Sequence, residues 1–337
     1  MNLTVASSPH IRGNFSTRRI MLDVVLALMP ALVVGVVVLG LRALLVTLIS
    51  VAAACVAEWL YAAFTKTRNT TIDGSALVTG LLLAMTLPAS VPFWQAALGS
   101  IFAIVFVKIL CGGLGQNIFN PALTARAFLM LIFPAGLTRY YALGVDAVTT
   151  ATPLHHMVMP ALPEESLLDM FLGNCPGSIG EISALALLLG GAYLIWRKVI
   201  SPRIPLAYLG AVAVLTLIFP RVGVSLDQSI DSLWDLLLYI QQYSNNALEW
   251  MLYSLLSGGV MLGAIFMATD YATSPATAWG QVFYGIGCGV LTVIFRYFGL
   301  FPEGVTYAIL LMNALVWCID RYTAPRRFGA KKGGSAK

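Results

Sequence analysis

The chemistry-bearing residues of this 337-residue chain gather in one short run, Asp146–Leu154, read D-A-V-T-T-A-T-P-L. Thr149, Thr150 and Thr152 place three hydroxyls within four residues, with Asp146 upstream and Pro153 just behind. The proline biases Thr152 toward an extended or turn backbone. No packing role favours hydroxyls here over apolar side chains, so the run suits chemistry on an accessible alcohol that a second enzyme could join to a phosphate. Arg139, or His155 or His156 if protonated, would offset the charge of such a phosphate. The two histidines read as solvated loop residues, because no third ligand lies at a useful spacing, and no metal site is assigned.

A second unusual stretch is Gly112–Ala122, G-G-L-G-Q-N-I-F-N-P-A. Its glycines permit close backbone approach, while Gln116, Asn117 and Asn120 offer uncharged donors and acceptors. No strand precedes it and the spacing is wrong for a dinucleotide fingerprint. Two readings stand: a tight inter-helix turn with asparagine caps, or a seat for a neutral ring system such as a flavin or quinone.

The elements that must position these residues are apolar. Hydrophobic residues make up 59% of the chain and charged residues 10%, against roughly 25% charged in a soluble domain. This is the balance of an all-α polytopic membrane protein, whose spans each need about 20 mostly apolar residues of lipid bilayer. Apolar runs predict about ten transmembrane helices at 20–40, 43–64, 74–88, 93–111, 121–134, 178–196, 204–219, 248–268, 279–298 and 303–320. The third and fifth are short for a full span. Met1–Arg19 is polar and lacks the pattern of a cleaved signal.

With the N-terminus inside, Arg12, Arg18, Arg19, Lys66, Arg68, Arg197, Lys198, Arg203, Arg321, Arg326, Arg327, Lys331, Lys332 and Lys337 face the cytoplasm, fourteen of the chain's twenty basic residues. Arg42, Arg139, Arg221 and Arg296 fall outside, and Lys108 and Arg126 near inner helix ends. That bias predicts cytoplasmic termini and external intervals at 135–177 and 220–247. The formal charge of +5 is therefore orienting charge and implies no nucleic acid. The organisation expected is a cytoplasmic segment 1–19, a five-helix repeat 20–134, an external loop 135–177, a second, inverted five-helix repeat 178–320 and a basic tail 321–337. Gly80–Thr86, G-L-L-L-A-M-T, matches Gly263–Thr269, G-A-I-F-M-A-T, in the second half. Each is followed by a proline (Pro88, Pro275) and then a tryptophan (Trp94, Trp279). Inverted repeats with short or broken helices commonly hold a pathway at their interface.

Asp23, Glu58, Asp270 and Asp320 fall at expected inner helix ends, and Glu181, Glu249 and Glu303 at outer ones, leaving no acid or base at a helix centre. An ion path would then use backbone carbonyls and residues such as Thr86, Thr269, Asp270 and Thr273. Cys55, Cys111, Cys175, Cys288 and Cys318 are scattered with no C-x-x-C pair, so no iron–sulfur or zinc centre is encoded here. Cys175 alone sits in a polar interval, and the other four read as small buried hydrophobes.

These stretches carry a resemblance. Ser7–Pro9, Ser75–Ala84, Gly112–Asn117 with Phe119–Ala122, Asp146–Leu154, Met261–Ala264 with Thr269 and Asp270, and Pro302–Val305 are similar to the RnfD (RsxD) components of the Rnf (Rsx) ion-translocating electron-transport complexes. They are more distantly similar to the NqrB component of the sodium-pumping NADH:quinone oxidoreductase. The resemblance implies a bacterial inner-membrane translocase subunit, inactive alone, in a complex passing electrons between ferredoxin and NAD and moving sodium or protons. It implies the other Rnf components, RnfA, RnfB, RnfC, RnfE and RnfG, as partners, and a flavin transferase for maturation.

It also implies FMN joined covalently through its phosphate to the last threonine of a pattern that Asp146, Thr149, Ala151 and Thr152 match. Thr150 stands where that pattern usually has glycine, and its branched Cβ stiffens the segment. A second flavin, noncovalent riboflavin, is implied and assigned to Asn117 and Asn120. No residue is assigned a catalytic role of its own. A different class of function, a non-redox channel or transporter of a small solute, is compatible with an inverted repeat alone, since fold does not fix function.

Overall fold

The computed structural model describes residues 16–66, 71–141, 149–150, 152–158, 162–163, 165–221, 246–299 and 303–324. Every apolar run predicted as a helix is helical over most of its length. The first half contains α1 (Thr17–Leu39), α2 (Leu41–Thr65), α3 (Ser75–Met85), α4 (Phe93–Ile109) and α5 (Pro121–Ile132). A connecting region follows with the single turn α6 (Pro134–Leu137), strands β1 (Tyr140–Tyr141) and β2 (Thr149–Thr150), α7 (Pro153–Val158) and α8 (Leu167–Leu172). The second half contains α9 (Ala184–Trp196), α10 (Arg203–Ile218), α11 (Asn246–Leu256), α12 (Val260–Met267), α13 (Ala278–Phe298) and α14 (Val305–Thr323).

Among the described residues, α1, α2 and α13 are long and apolar enough to cross a membrane, and α11 with α12 would make a fourth span if counted together. With its further short apolar helices, this is the architecture of a membrane protein. α3 and α5 hold 11 and 12 residues, so at 1.5 Å per residue each rises about 17–18 Å, little more than half of a hydrocarbon core.

Three local features depart from the predicted runs. The eighth run is two helices bent by 60°, because Ser257-Gly258-Gly259 interrupts it and Gly258 takes the left-handed φ of +63°. The sixth run starts late, at Ala184, because the backbone before it closes the end of α3: Gly180 N–H donates to Met85 O at 2.8 Å and Ile179 N–H to Leu87 O at 3.1 Å. Those carbonyls have no partner within their own helix end. The connecting region also carries a minimal antiparallel ladder, Tyr140 opposite Thr150 and Tyr141 opposite Thr149, the one sheet among the described residues.

The helices pack as two interlocked sets. α2 packs on α3 and α4, α10 on α13, α13 on α14, α1 on α9, and α5 against α3, α4 and α14. Small residues set the closest approaches. A Cβ added at Gly289 would lie 2.6 Å from Ala211 Cβ, and one at Gly285 would lie 2.8 Å from Ala207 Cβ, so α10 and α13 meet at near-backbone distance. Without a water-driven hydrophobic effect between helices, such packing carries the association.

The connecting region folds back onto α11. Met157, Met170 and Cys175 join Trp250 and Tyr253 in a small buried cluster. Cys175 is thus a buried thiol despite its polar sequence context, whereas Cys111 and Cys318, expected to be buried, are exposed.

Candidate functional site

Arg42, at the start of α2, donates to Ala89 O at 2.9 Å and to Ser90 O at 3.1 Å, and Ser90 Oγ donates to Arg139 O. These bonds gather the start of α2, the α3–α4 connection and β1 at one end of the bundle. From Arg42 to Glu58, α2 climbs about 24 Å. The molecule therefore has two ends to consider.

At the first end lies Thr152, half-buried in a non-helical position between β2 and α7. It is held from both sides. Upstream, Thr149 and Thr150 are tied into the ladder with Tyr141 and Tyr140. Downstream, Pro153 and Leu154 are buried, so Thr152 sits in a turn anchored on both sides. Among the described residues no hydrogen bond engages that hydroxyl. Asp146 and Ala151, the other members of the motif, lie outside the described residues. Arg139 is exposed nearby in sequence, and His155 and His156 fall on α7.

Beneath this end sits a buried charge cluster that the sequence reading missed. Arg126 Nη1 lies 3.7 Å from Glu181 Oε1, and Arg126 Nη2 is paired with Glu303. The expectation placed Arg126 near an inner helix end and the two glutamates at outer ones. Because α5 is short, its sixth residue already reaches both acids. The expectation of no base at a helix centre therefore fails at Arg126, midway along α5. The available signal was an arginine inside an apolar run. Burial also pushes the Tyr140 hydroxyl up to about 12, with Glu181 adding to the rise, so the tyrosine stays neutral.

At the other end a cleft of about 90 Å³ is lined by α1, α3, α4, the 114–120 connection, the start of α5, the end of α9 with the turn after it, Phe266 of α12 and the 269–272 turn. It brings together Asn117, Asn120, Thr269 and Asp270, four residues singled out from sequence. Asn117 and Asn120 differ in what they have left to offer. Asn120 Oδ1 caps α5, accepting from Ala122 and Leu123 N–H at 3.0 and 3.3 Å, and its Nδ2 donates to Met267 O at 3.2 Å. The cap reading thus holds for Asn120. Asn117 Oδ1, by contrast, is buried without a hydrogen-bond partner.

Lys108 also lines the cleft but is spent, donating to Glu58 Oε1 at 2.6 Å and to Ser75 Oγ at 2.7 Å. It lies on the π-helical last turns of α4, Ala103–Ile109, a widened coil often found at functional positions. Thr86 is elsewhere: it closes the end of α3 by donating to Leu83 O at 2.7 Å and does not line the cleft.

Between the two ends, Asn313 sits midway along α14. Its amide satisfies every neighbour when its nitrogen faces Tyr284 Oη and the carbonyls of Ile309 and Thr273, its oxygen then accepting from Asn120 N–H at 3.1 Å. This network joins the α5 cap to α13 and α14. Arg197 Nη2 contacts Asp23 Oδ2 at 3.2 Å, and Tyr193 Oη donates to Asp23 Oδ1 at 2.9 Å, so α9 is tied to α1.

Comparison with known proteins matches the sequence of this chain to one family. A sequence model described as "NQR2, RnfD, RnfE family" matches residues 4–329. A protein of Acetobacterium woodii, named as the D component of a "Na(+)-translocating ferredoxin:NAD(+) oxidoreductase complex", is 46% identical over 98% of this chain and 97% of its own. The D component of a "Proton-translocating ferredoxin:NAD(+) oxidoreductase complex" of Clostridium ljungdahlii is 41% identical over the same shares. The D component of an "Ion-translocating oxidoreductase complex" of Escherichia coli is 32% identical over 99% of this chain and all of its own.

Proposed function

The chain belongs to the NQR2, RnfD, RnfE family, and from that premise we propose that it is the membrane subunit of an ion-translocating ferredoxin:NAD oxidoreductase complex, bearing FMN as a phosphoester on Thr152. The observation that carries this reading is the placement of Thr152: a half-buried residue in an anchored turn, with no hydrogen bond among the described residues engaging its hydroxyl. A hydroxyl committed to a cap or a buried network would be closed to an attaching enzyme. This one fits a phosphoester.

When bound, FMN would supply one- and two-electron chemistry, while the chain supplies position and environment. The β1–β2 ladder and buried Leu154 hold the two sides of the attachment point. Arg139, His155 and His156 are the nearby groups in sequence that can balance a phosphate charge. Partner subunits of the complex and a flavin transferase complete the system. Ion coupling is common to the three relatives' names, and the ion differs between two of them, sodium in one and proton in the other. The coupled ion is accordingly a small cation, sodium or a proton.

Riboflavin at Asn117 is the second part of the proposal. The orphan Asn117 Oδ1 fits a ring N–H donor. At about 90 Å³ the cleft is well below the roughly 300 Å³ at which ligand pockets begin. It suits the polar edge of a ring, with the body of the ring in the open part of the cleft.

We place ten spans in two inverted five-helix halves in a bacterial inner membrane, termini cytoplasmic and Thr152 external. Supporting this, α2 meets α4 as α10 meets α13, and α1 meets α9 across the halves. The short α3 and the short α12 stand at corresponding places. Lys108 and Arg296, each near the end of the fourth helix of its half, reach Ser75 and Ser257, five and six residues before the first glycines of the matching G-L-L-L-A-M-T and G-A-I-F-M-A-T runs.

In-gel flavin fluorescence of the chain made with its flavin transferase tests the proposal. Thr152→Ala should abolish the band, while Thr149→Ala and Thr150→Ala should retain it. A dark wild-type band would refute the flavin assignment.

A further inference from the structure

The turn that carries Thr152 is fastened to the break between α11 and α12. Gly258 is the residue at that break with the left-handed φ. A Cβ placed on it would lie 2.8 Å from Leu154 Cδ2 and 3.1 Å from Arg296 Nη2. Leu154 is therefore seated on the break itself. Met157, one helical turn on, is buried beside it, and Ser257 Oγ donates to its sulfur at 3.5 Å.

The break is fixed in turn by Arg296 from α13. Its Nη1 donates to Ser254 O at 2.6 Å and its Nη2 to Ser257 O at 2.7 Å. These are carbonyls that the end of α11 leaves without helical partners. A planar guanidinium presents its two Nη groups in a rigid fork, so both carbonyls are held in one fixed geometry. Leu154, Met157, Trp250, Arg296 and Tyr297 leave a void of only about 10 Å³ between them, roughly one water's worth.

Two residues of chain span at most about 7 Å, so Thr152 cannot move far from Leu154. We propose that Leu154 and Arg296 are positioning residues: Arg296 sets the broken end of α11, Leu154 rides on it, and the group carried at Thr152 is held over the break and moves with it. This rests on Thr152 as the attachment point. It adds a mechanical link between the attached group and the α11–α12 pair, bent by 60°. Discontinuous helices in membrane proteins are where ion and substrate sites form, so a change of conformation at the break would alter where the cofactor stands.

The test uses no flavin. A fluorophore is placed on Thr152→Cys in the full chain, purified in detergent, with the exposed Cys111 and Cys318 changed to serine. A matched sample carries the label at Lys198→Cys, in the exposed turn after α9. In the parent background the label at 152 should show a slow component in its anisotropy decay. That component should be lost in Leu154→Ala, retained in Leu154→Met, and lost in Arg296→Met although Arg296 is remote from Thr152 in sequence. The decay at 198 should be unchanged throughout.

Retention of the slow component at 152 in both Leu154→Ala and Arg296→Met would overturn the proposal. So would its loss at 152 and 198 together, since that makes the two residues general supports of the fold. A dark flavin gel would remove the cofactor reading and leave this measurement standing.

Discussion

At the scale of single residues, function depends on which polar atoms are spent and which are free. Asn120 and Lys108 line the cleft but their donors and acceptors are occupied, whereas Asn117 keeps a buried acceptor unpaired. Asn117→Ala should therefore reduce noncovalent riboflavin in the purified complex and leave stability nearly unchanged. Quantifying released flavin by chromatography checks this, and undiminished riboflavin would refute the assignment. Cys175 gives a separate test. Burial pushes its thiol up to about 12 from the usual 9 or so, with Glu165 adding to the rise. A raised value means a neutral thiol across pH 7–9, and the thiolate is the nucleophile. Cys175 should resist maleimide in the folded chain and react after denaturation, as read by peptide mass spectrometry; labelling of Cys175 in folded protein would contradict its burial. Sequence made Thr152 visible because a hydroxyl-rich run stands out in an apolar chain. It could not separate Asn117 from Asn120, since only the fold shows that Asn120 Oδ1 caps α5.

At the scale of elements, apolar runs identified the helices but not their interruptions. Hydropathy counts Ser257-Gly258-Gly259 as a continuation, and the break comes from backbone geometry supported by Arg296, about 40 residues away in sequence. The charge cluster was hidden for a similar reason. Arg126 meets Glu181 and Glu303 only because α5 is short and the chain before α9 is not helical. The Lys108–Glu58 pair, 2% exposed on both sides, yields a quantitative expectation. Removing one partner of a buried pair costs about 3–5 kcal/mol, whereas replacing both by apolar residues costs far less. Lys108→Met should therefore lower the thermal unfolding midpoint sharply, and Glu58→Met with Lys108→Met should recover most of the loss. Equal loss in single and double variants would show that the pair is not the stabilising unit.

At the scale of the whole molecule, the two halves are joined near both ends. Asp23 meets Tyr193 and Arg197 at one, and Arg126 meets Glu181 and Glu303 at the other. The basic residues in sequence predict which end is cytoplasmic, because lysine and arginine bias orients helices during insertion. A reporter fused near residue 161 should read as external and one at the C-terminus as cytoplasmic; the reverse would invert the topology and put Thr152 where the proposal does not allow it. The whole reading depends on one covalent bond, between Thr152 and the FMN phosphate. Proteolysis of the chain matured with its flavin transferase, followed by peptide mass spectrometry, reads that bond directly. The account predicts a peptide containing Thr152 heavier by one FMN less one water, with fragment ions placing the addition on Thr152. An unmodified peptide, or an addition on Thr149 or Thr150, would contradict it.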